Sequence, residues 1–323
     1  MPPTNKLIKV LVTGFGSFRN FDENPSWLAV KNLHGIWLNL QSEPDYTPDK
    51  EPSDSNEAPV EVASGRVAHI QCVHIPVHYG TILDTIPRLH GSKEPYSPHA
   101  ERWFDDRCDQ TGLAGEDGKS YPDGYRVEHP EDDFDVIIHV GVGRTGGIRV
   151  ETLGHKIGYK HGDTIEDLAP EVSLGVPKKS SHGTANGDET VDGVNRGQIE
   201  YDPSVANEEL IKDGKLRGFG QGYETFDLEE RTDVDVPAIV EWLKRKGMGD
   251  GICQSKDAGR YLCDFIFYCS LCEAKRRAQQ GKKAATVLFI HVPPVGRDLT
   301  TQACTTAIRC VAWHLANART TRP

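Results

Sequence analysis

Short apolar runs recur along the chain, each followed by a segment of helical periodicity, and this alternation leaves few folds open. Residues 7–13 (LIKVLVT), 67–77, 134–140 (FDVIIHV) and 284–292 (AATVLFIHV) read as buried strands, with a shorter one near 251–254. Helical stripes are expected at 26–33, 78–89, 237–247, 258–280 and 301–318. In the third, Ile239, Val240, Trp242 and Leu243 share a face, and the stripe closes at a glycine. Strands that alternate with helices pair in parallel, because each crossover helix returns the chain to the same edge of the sheet. The expected architecture is a three-layer α/β/α sandwich around a largely parallel, mixed central sheet.

Three stretches break the alternation, at 41–65, 102–133 and 170–222. They are rich in Gly, Pro, Ser and acidic residues and have little to bury, so they read as solvated inserts in one domain spanning 1–323. They also explain a hydrophobic content of only 37%. A net charge of −11 argues against a nucleic-acid or anionic-membrane partner, since phosphate contacts need clustered cations. No apolar run approaches the roughly 20 residues of a membrane helix. The opening MPPTNKLIKVLVTGFG carries a lysine inside its apolar stretch and no small-residue cleavage site, so it reads as a first strand rather than a signal peptide.

Eight cysteines are too few for a disulfide scaffold. Cys72, Cys253, Cys263, Cys269, Cys304 and Cys310 lie among apolar neighbours, as reduced core thiols do, and a cytoplasmic setting is expected. The one CxxC, Cys269–Cys272, falls inside a helical stripe without a second ligand pair, so no metal is expected.

In a parallel sheet the loops after the strands share one rim. The turn Gly14-Phe-Gly-Ser-Phe18, the loop from Gly141 to Glu151, the helix start near Cys263 and the strand end at His291 should therefore converge, unless an antiparallel strand intervenes. Gly141-Val-Gly-Arg-Thr-Gly146 matches G-x-G-x-x-G. A dinucleotide loop must open a helix, however, and β-branched residues come next here. Cys263 should sit within two turns of a helix N-terminus capped by Ser255 or Asp257, where the dipole and free amides favour thiolate and could hold an oxyanion. His291 is placed to act as general base, and Glu151 to orient it. Taken singly, each has a bland reading: a core cysteine, a loop-bracing histidine, a solvated glutamate.

Together these residues resemble the pyroglutamyl-peptidase I family of cysteine exopeptidases. The resemblance rests on Val12-Thr-Gly-Phe-Gly-Ser-Phe18 with Asn24-Pro-Ser26, on His139-Val-Gly-Val142, and on Glu151-Thr-Leu-Gly-His155 with Gly158-Tyr-Lys160. Its most specific parts are Asp257-Ala-Gly-Arg-Tyr-Leu-Cys-Asp-Phe265 and Phe289-Ile-His-Val-Pro-Pro294. The segments match in order from about residue 7 to about 297, and the three inserts do not.

The resemblance implies Cys263 as nucleophile, His291 as general base and Glu151 as the acidic third member. It implies that Phe15 and Phe18 sandwich a lactam ring, that Tyr261 and Leu262 line its pocket, and that the Val142 carbonyl receives the lactam N–H. Asn24 matches a family asparagine near the site. Asp264 stands where bacterial members usually carry asparagine. No cofactor is implied, the partners would be peptides with N-terminal pyroglutamate, and assembly as monomer or homo-oligomer stays open. The alternatives are a thiol amidohydrolase for another small acyl group, or a catalytically silent protein that uses its acidic inserts for interaction.

Overall fold

Strand β1 (Leu7–Phe15) sets the two faces of the molecule. Alternate side chains point opposite ways, so Ile8, Val10 and Val12 enter one apolar cluster while Leu11 and Phe15 enter another. The computed structural model describes residues 7–18, 21–47, 66–91, 134–172, 211–212 and 214–321. Most of the three expected inserts lies outside the described residues.

The remaining strands are β2 (Trp37–Asn39), β3 (Val67–Ile75), β4 (Val136–Val142), β5 (Ile148–Glu151), β6 (Leu153–His155), β7 (Ile211–Lys212), β8 (Lys215–Leu216), β9 (Glu229–Arg231), β10 (Ile252–Ser255) and β11 (Thr286–Val292). Seven form one sheet in the order β10-β5-β11-β4-β1-β3-β2. The central strands β3, β1, β4 and β11 are mutually parallel. At one edge β2 runs antiparallel to β3. At the other, β5 runs antiparallel to β11 and carries β10 parallel to itself.

Helices α1 (Pro25–Val30), α3 (Val236–Leu243) and α5 (Thr301–Thr321) cover the face bearing Val10 and Ile138. Helices α2 (Tyr79–Leu89) and α4 (Leu262–Gln279) cover the other. The expected three-layer sandwich with a mixed sheet is therefore what forms.

Three local expectations need correction. Helix α4 begins at Leu262, not near Ala258, and its N-cap is Tyr261 without a side-chain hydrogen bond. Ser255 and Asp257 do not cap it. Asp257 Oδ1 accepts the Gly259 amide at 2.9 Å, and Gly259 (φ 93°) and Arg260 (φ 45°) are left-handed, which a helix cannot continue. The third insert ends earlier than residue 222, because Phe219 is buried and stacks on Phe265 at 4.0 Å. A few aromatic anchors in a Gly-rich stretch have no period to detect. Cys253 is exposed rather than core, since β10 is an edge strand that buries only Ile252.

Candidate active site

Side-chain parity brings the site together. On β11 the residues Val287 and Phe289 face α4, so His291 does as well. On β5, Ile148 and Val150 face away, which turns Arg149 and Glu151 toward α4. Phe15 on β1 and Gly141 on β4 share this face. Cys263, the second residue of α4, arrives from above.

His291 Nδ1 donates to Glu151 Oε1 at 2.8 Å, which leaves Nε2 for the hydrogen bond with the Cys263 sulfur. Burial pushes the imidazole pKa down, but Cys263 and Glu151 outweigh it and raise it to about 9. The two partners thus favour the protonated, charged form of the imidazole. Burial raises the thiols of Cys269 and Cys272 well above the ordinary range and that of Cys304 to about 12. His139, also on the α4 face, is held neutral, its pKa lowered to about 3 by burial and by His90, and it contacts Thr13 Oγ1 at 2.8 Å.

The glycines of the 141–146 loop serve this geometry. A Cβ on Gly141 would lie 2.7 Å from Cys263 Sγ and 2.9 Å from Phe289 Cζ, so only glycine lets the thiol seat against the strand. Gly147 leads into β5, not into a helix, so the loop presents no helix N-terminus to a pyrophosphate.

A cavity of about 1180 Å³ opens over the sulfur. Cys263, His291 and Glu151 line it, as do Phe15, Phe18, Val142, Tyr261, Leu262 and Asn24. Phe18 and Tyr261 lie ring to ring at 5.6 Å, and the Tyr261 hydroxyl donates to the Gly162 carbonyl at 2.9 Å. Asn24 is engaged in folding: Nδ2 donates to the Gly16 carbonyl, and Oδ1 accepts from the Ser26 amide and hydroxyl, capping α1 and bracing the aromatic turn.

Asp264 does not line the cavity. It is fully buried beneath it, accepting from His155 Nδ1 at 3.0 Å and from the Tyr159 hydroxyl at 2.9 Å, with Arg260 3.8 Å away. This network ties the start of α4 to β6 and to the loop before Cys263. Motif matching passes over Arg144, Arg149 and Asp163, which also line the cavity. The only signal for the arginines is their occurrence in a glycine loop of an acidic chain.

Among the described residues, no group of three His, Cys, Asp or Glu is arranged to hold a metal ion, and no helix is long and apolar enough to cross a membrane.

No protein-family model matches the chain. Curated proteins named pyroglutamyl-peptidase 1 from Mus musculus and Homo sapiens are 22% and 23% identical to it over 303 residues, covering 94% of this chain and 87% of theirs. Among solved structures, pyroglutamyl peptidase I of Bacillus amyloliquefaciens matches with a TM-score of 0.51 at 18% identity, covering 96% of this chain and 97% of that one. The resemblance read from the motifs is borne out by relatives along nearly the whole chain, and the α/β fold by the Bacillus structure.

Proposed function

We propose that the chain is a cysteine exopeptidase that hydrolyses the bond after an N-terminal pyroglutamyl residue and releases free pyroglutamate. One observation carries this reading: Cys263, His291 and Glu151, hydrogen-bonded in series, open into a cavity with an aromatic end formed by Phe15, Phe18 and Tyr261. A pyroglutamyl terminus has no ammonium group, so a salt bridge cannot recognise it. Flat apolar walls with one or two backbone hydrogen bonds suit a neutral lactam. Free N-terminal glutamine or proline would bring a charged amine against those walls, at a cost on the order of several kcal/mol.

In this reading the Cys263 thiolate attacks the pyroglutamyl carbonyl carbon. The first-turn amides of α4, which no side chain caps, receive the developing oxyanion. The C–N bond breaks as His291 Nε2 protonates the leaving amine, giving a thioester. Water then attacks the thioester while His291 takes its proton, and pyroglutamate leaves as the thiolate re-forms. Glu151 holds Nδ1–H and keeps the imidazole oriented throughout. The reaction calls for no cofactor, and the thiolate suits a reducing compartment such as the cytoplasm.

The test compares turnover of pyroglutamyl, prolyl and glutaminyl aminocoumarin amides. Cleavage of the lactam alone is expected. Equal cleavage of all three would discard the lactam pocket, and no cleavage of any would discard the hydrolase.

A further inference from the structure

The cavity has two chemically different walls. Asp163 and Glu166 lie toward the aromatic end, where Tyr261 packs against the loop bearing Gly162, and Asp257 also lines the cavity. The Asp163 carboxylate is held there by the amides of Tyr79, Ile165 and Asp167, and Asp257 by the Gly259 amide with Arg260 3.8 Å away. A wall beside His291 carries Arg144 and Arg149. In a chain of net charge −11, two guanidinium groups on one wall do not follow from composition.

Gly143 fixes where this wall stands relative to the reacting centre. A Cβ placed on it would be 2.9 Å from His291 Cβ and 3.4 Å from Arg149 Nη1, so both side chains pack against the same side of this glycine. Arg149 donates to the carbonyls of Arg144 at 3.0 Å and Thr145 at 2.6 Å, which shapes the loop that presents Arg144. Asp298 accepts the Gly146 amide at 2.8 Å and pins the same loop. Glu151 is hydrogen-bonded to His291. The Arg144 side chain is exposed and makes no hydrogen bond or ion pair among the described residues.

We infer that this arginine wall is the subsite for the first leaving residue and selects a carboxylate there. The inference rests on the proposed peptidase reading and deepens it. The ring occupies the aromatic end, and the leaving nitrogen must lie over His291 to be protonated, so the residue beyond that nitrogen passes Gly143 and meets Arg144. The carboxylate would be either an acidic side chain or the free C-terminus of a pyroglutamyl dipeptide. Arg144 supplies the selecting charge, and Arg149 supplies a second charge while positioning it.

Two pairs of substrates separate these sources: pyroglutamyl-aspartyl amide against its asparaginyl isostere, and pyroglutamyl-alanine against its amide. At low ionic strength the acidic member of at least one pair is expected to show about fivefold higher kcat/KM, the upper end of what an exposed ion pair supplies. The ratio should shrink in about 0.5 M salt, fall toward one in Arg144→Gln and invert in Arg144→Glu. Ratios of one in both pairs for the unmodified protein, or a preference that survives Arg144→Glu undiminished, would overturn the inference while leaving the peptidase standing. Failure to cleave any of the four peptides would remove the peptidase reading, and this one with it.

Discussion

His291 on β11 and Glu151 on β5 are joined by a 2.8 Å hydrogen bond between strands that run in opposite directions. In the register His291 lies opposite Arg149, and Glu151 opposite Phe289, so the two partners are diagonal neighbours on one face of the sheet. An antiparallel strand within the site does not scatter the residues, because a cross-strand diagonal serves as well as a shared strand end.

The raised imidazole pKa has a definite sign. The pairing stabilises the imidazolium, so its contribution is full below the ordinary value near 6.5 and is lost as pH rises through about 9. Activity that needs the imidazolium to protonate the leaving amine should decline over the same upper window. Glu151→Gln removes one of the raising interactions. It is expected to move the alkaline limb of the pH–rate profile below 9 and to lower kcat by about a hundredfold or more. An unchanged limb would mean that Glu151 does not act on His291.

Thiol reactivity should run against exposure. Cys253 is exposed and Cys263 only half-buried, yet Cys263 alone has the imidazolium beside it. Iodoacetamide at pH 7 is expected to alkylate Cys263 faster than Cys253, as read by peptide mass spectrometry, with activity lost in step. Cys263→Ala should abolish hydrolysis, and Cys263→Ser nearly so.

Gly141→Ala separates packing at the nucleophile from general stability. The added methyl meets Cys263 Sγ and the Phe289 ring, and the sulfur is the group freer to move. Loss of kcat by about tenfold or more is expected, with a far smaller relative change in urea midpoint. Unchanged kcat would show that the thiol does not work from its seat on β4.

Asp264 holds the helix start by burial and by its contacts to His155, Tyr159 and Arg260. Asp264→Ala leaves those partners unmatched and is expected to cost about 3 kcal/mol in chemical denaturation. Asp264→Asn keeps an acceptor and should lose much less, both in stability and in kcat. Equal losses in the two variants would mean that volume rather than hydrogen bonding is what matters there.

The strand–helix alternation, its largely parallel sheet and the nucleophile motif were legible in the linear chain, because apolar runs and helical period are local properties; the antiparallel strands β2 and β5 were not. The shared rim of strand ends already brought His291 and Glu151 together, whereas β5, which carries Glu151, read as part of a glycine loop. Local pattern placed the start of α4 wrongly, since Gly259 and Arg260 adopt left-handed conformations that no hydrophobic period encodes. It also missed the burial of Phe219, whose partner Phe265 lies 46 residues further along the chain.

Which residues could supply chemistry was thus written in the order of amino acids, through spacing and residue type. Their distances, the raised imidazole pKa and the grouping of Arg144 with Arg149 beside His291 came only with the assembled molecule. Those properties depend on desolvation and on contacts between remote segments, such as the packing of His291 and Arg149 against Gly143. Such contacts exist only after the chain has closed on itself.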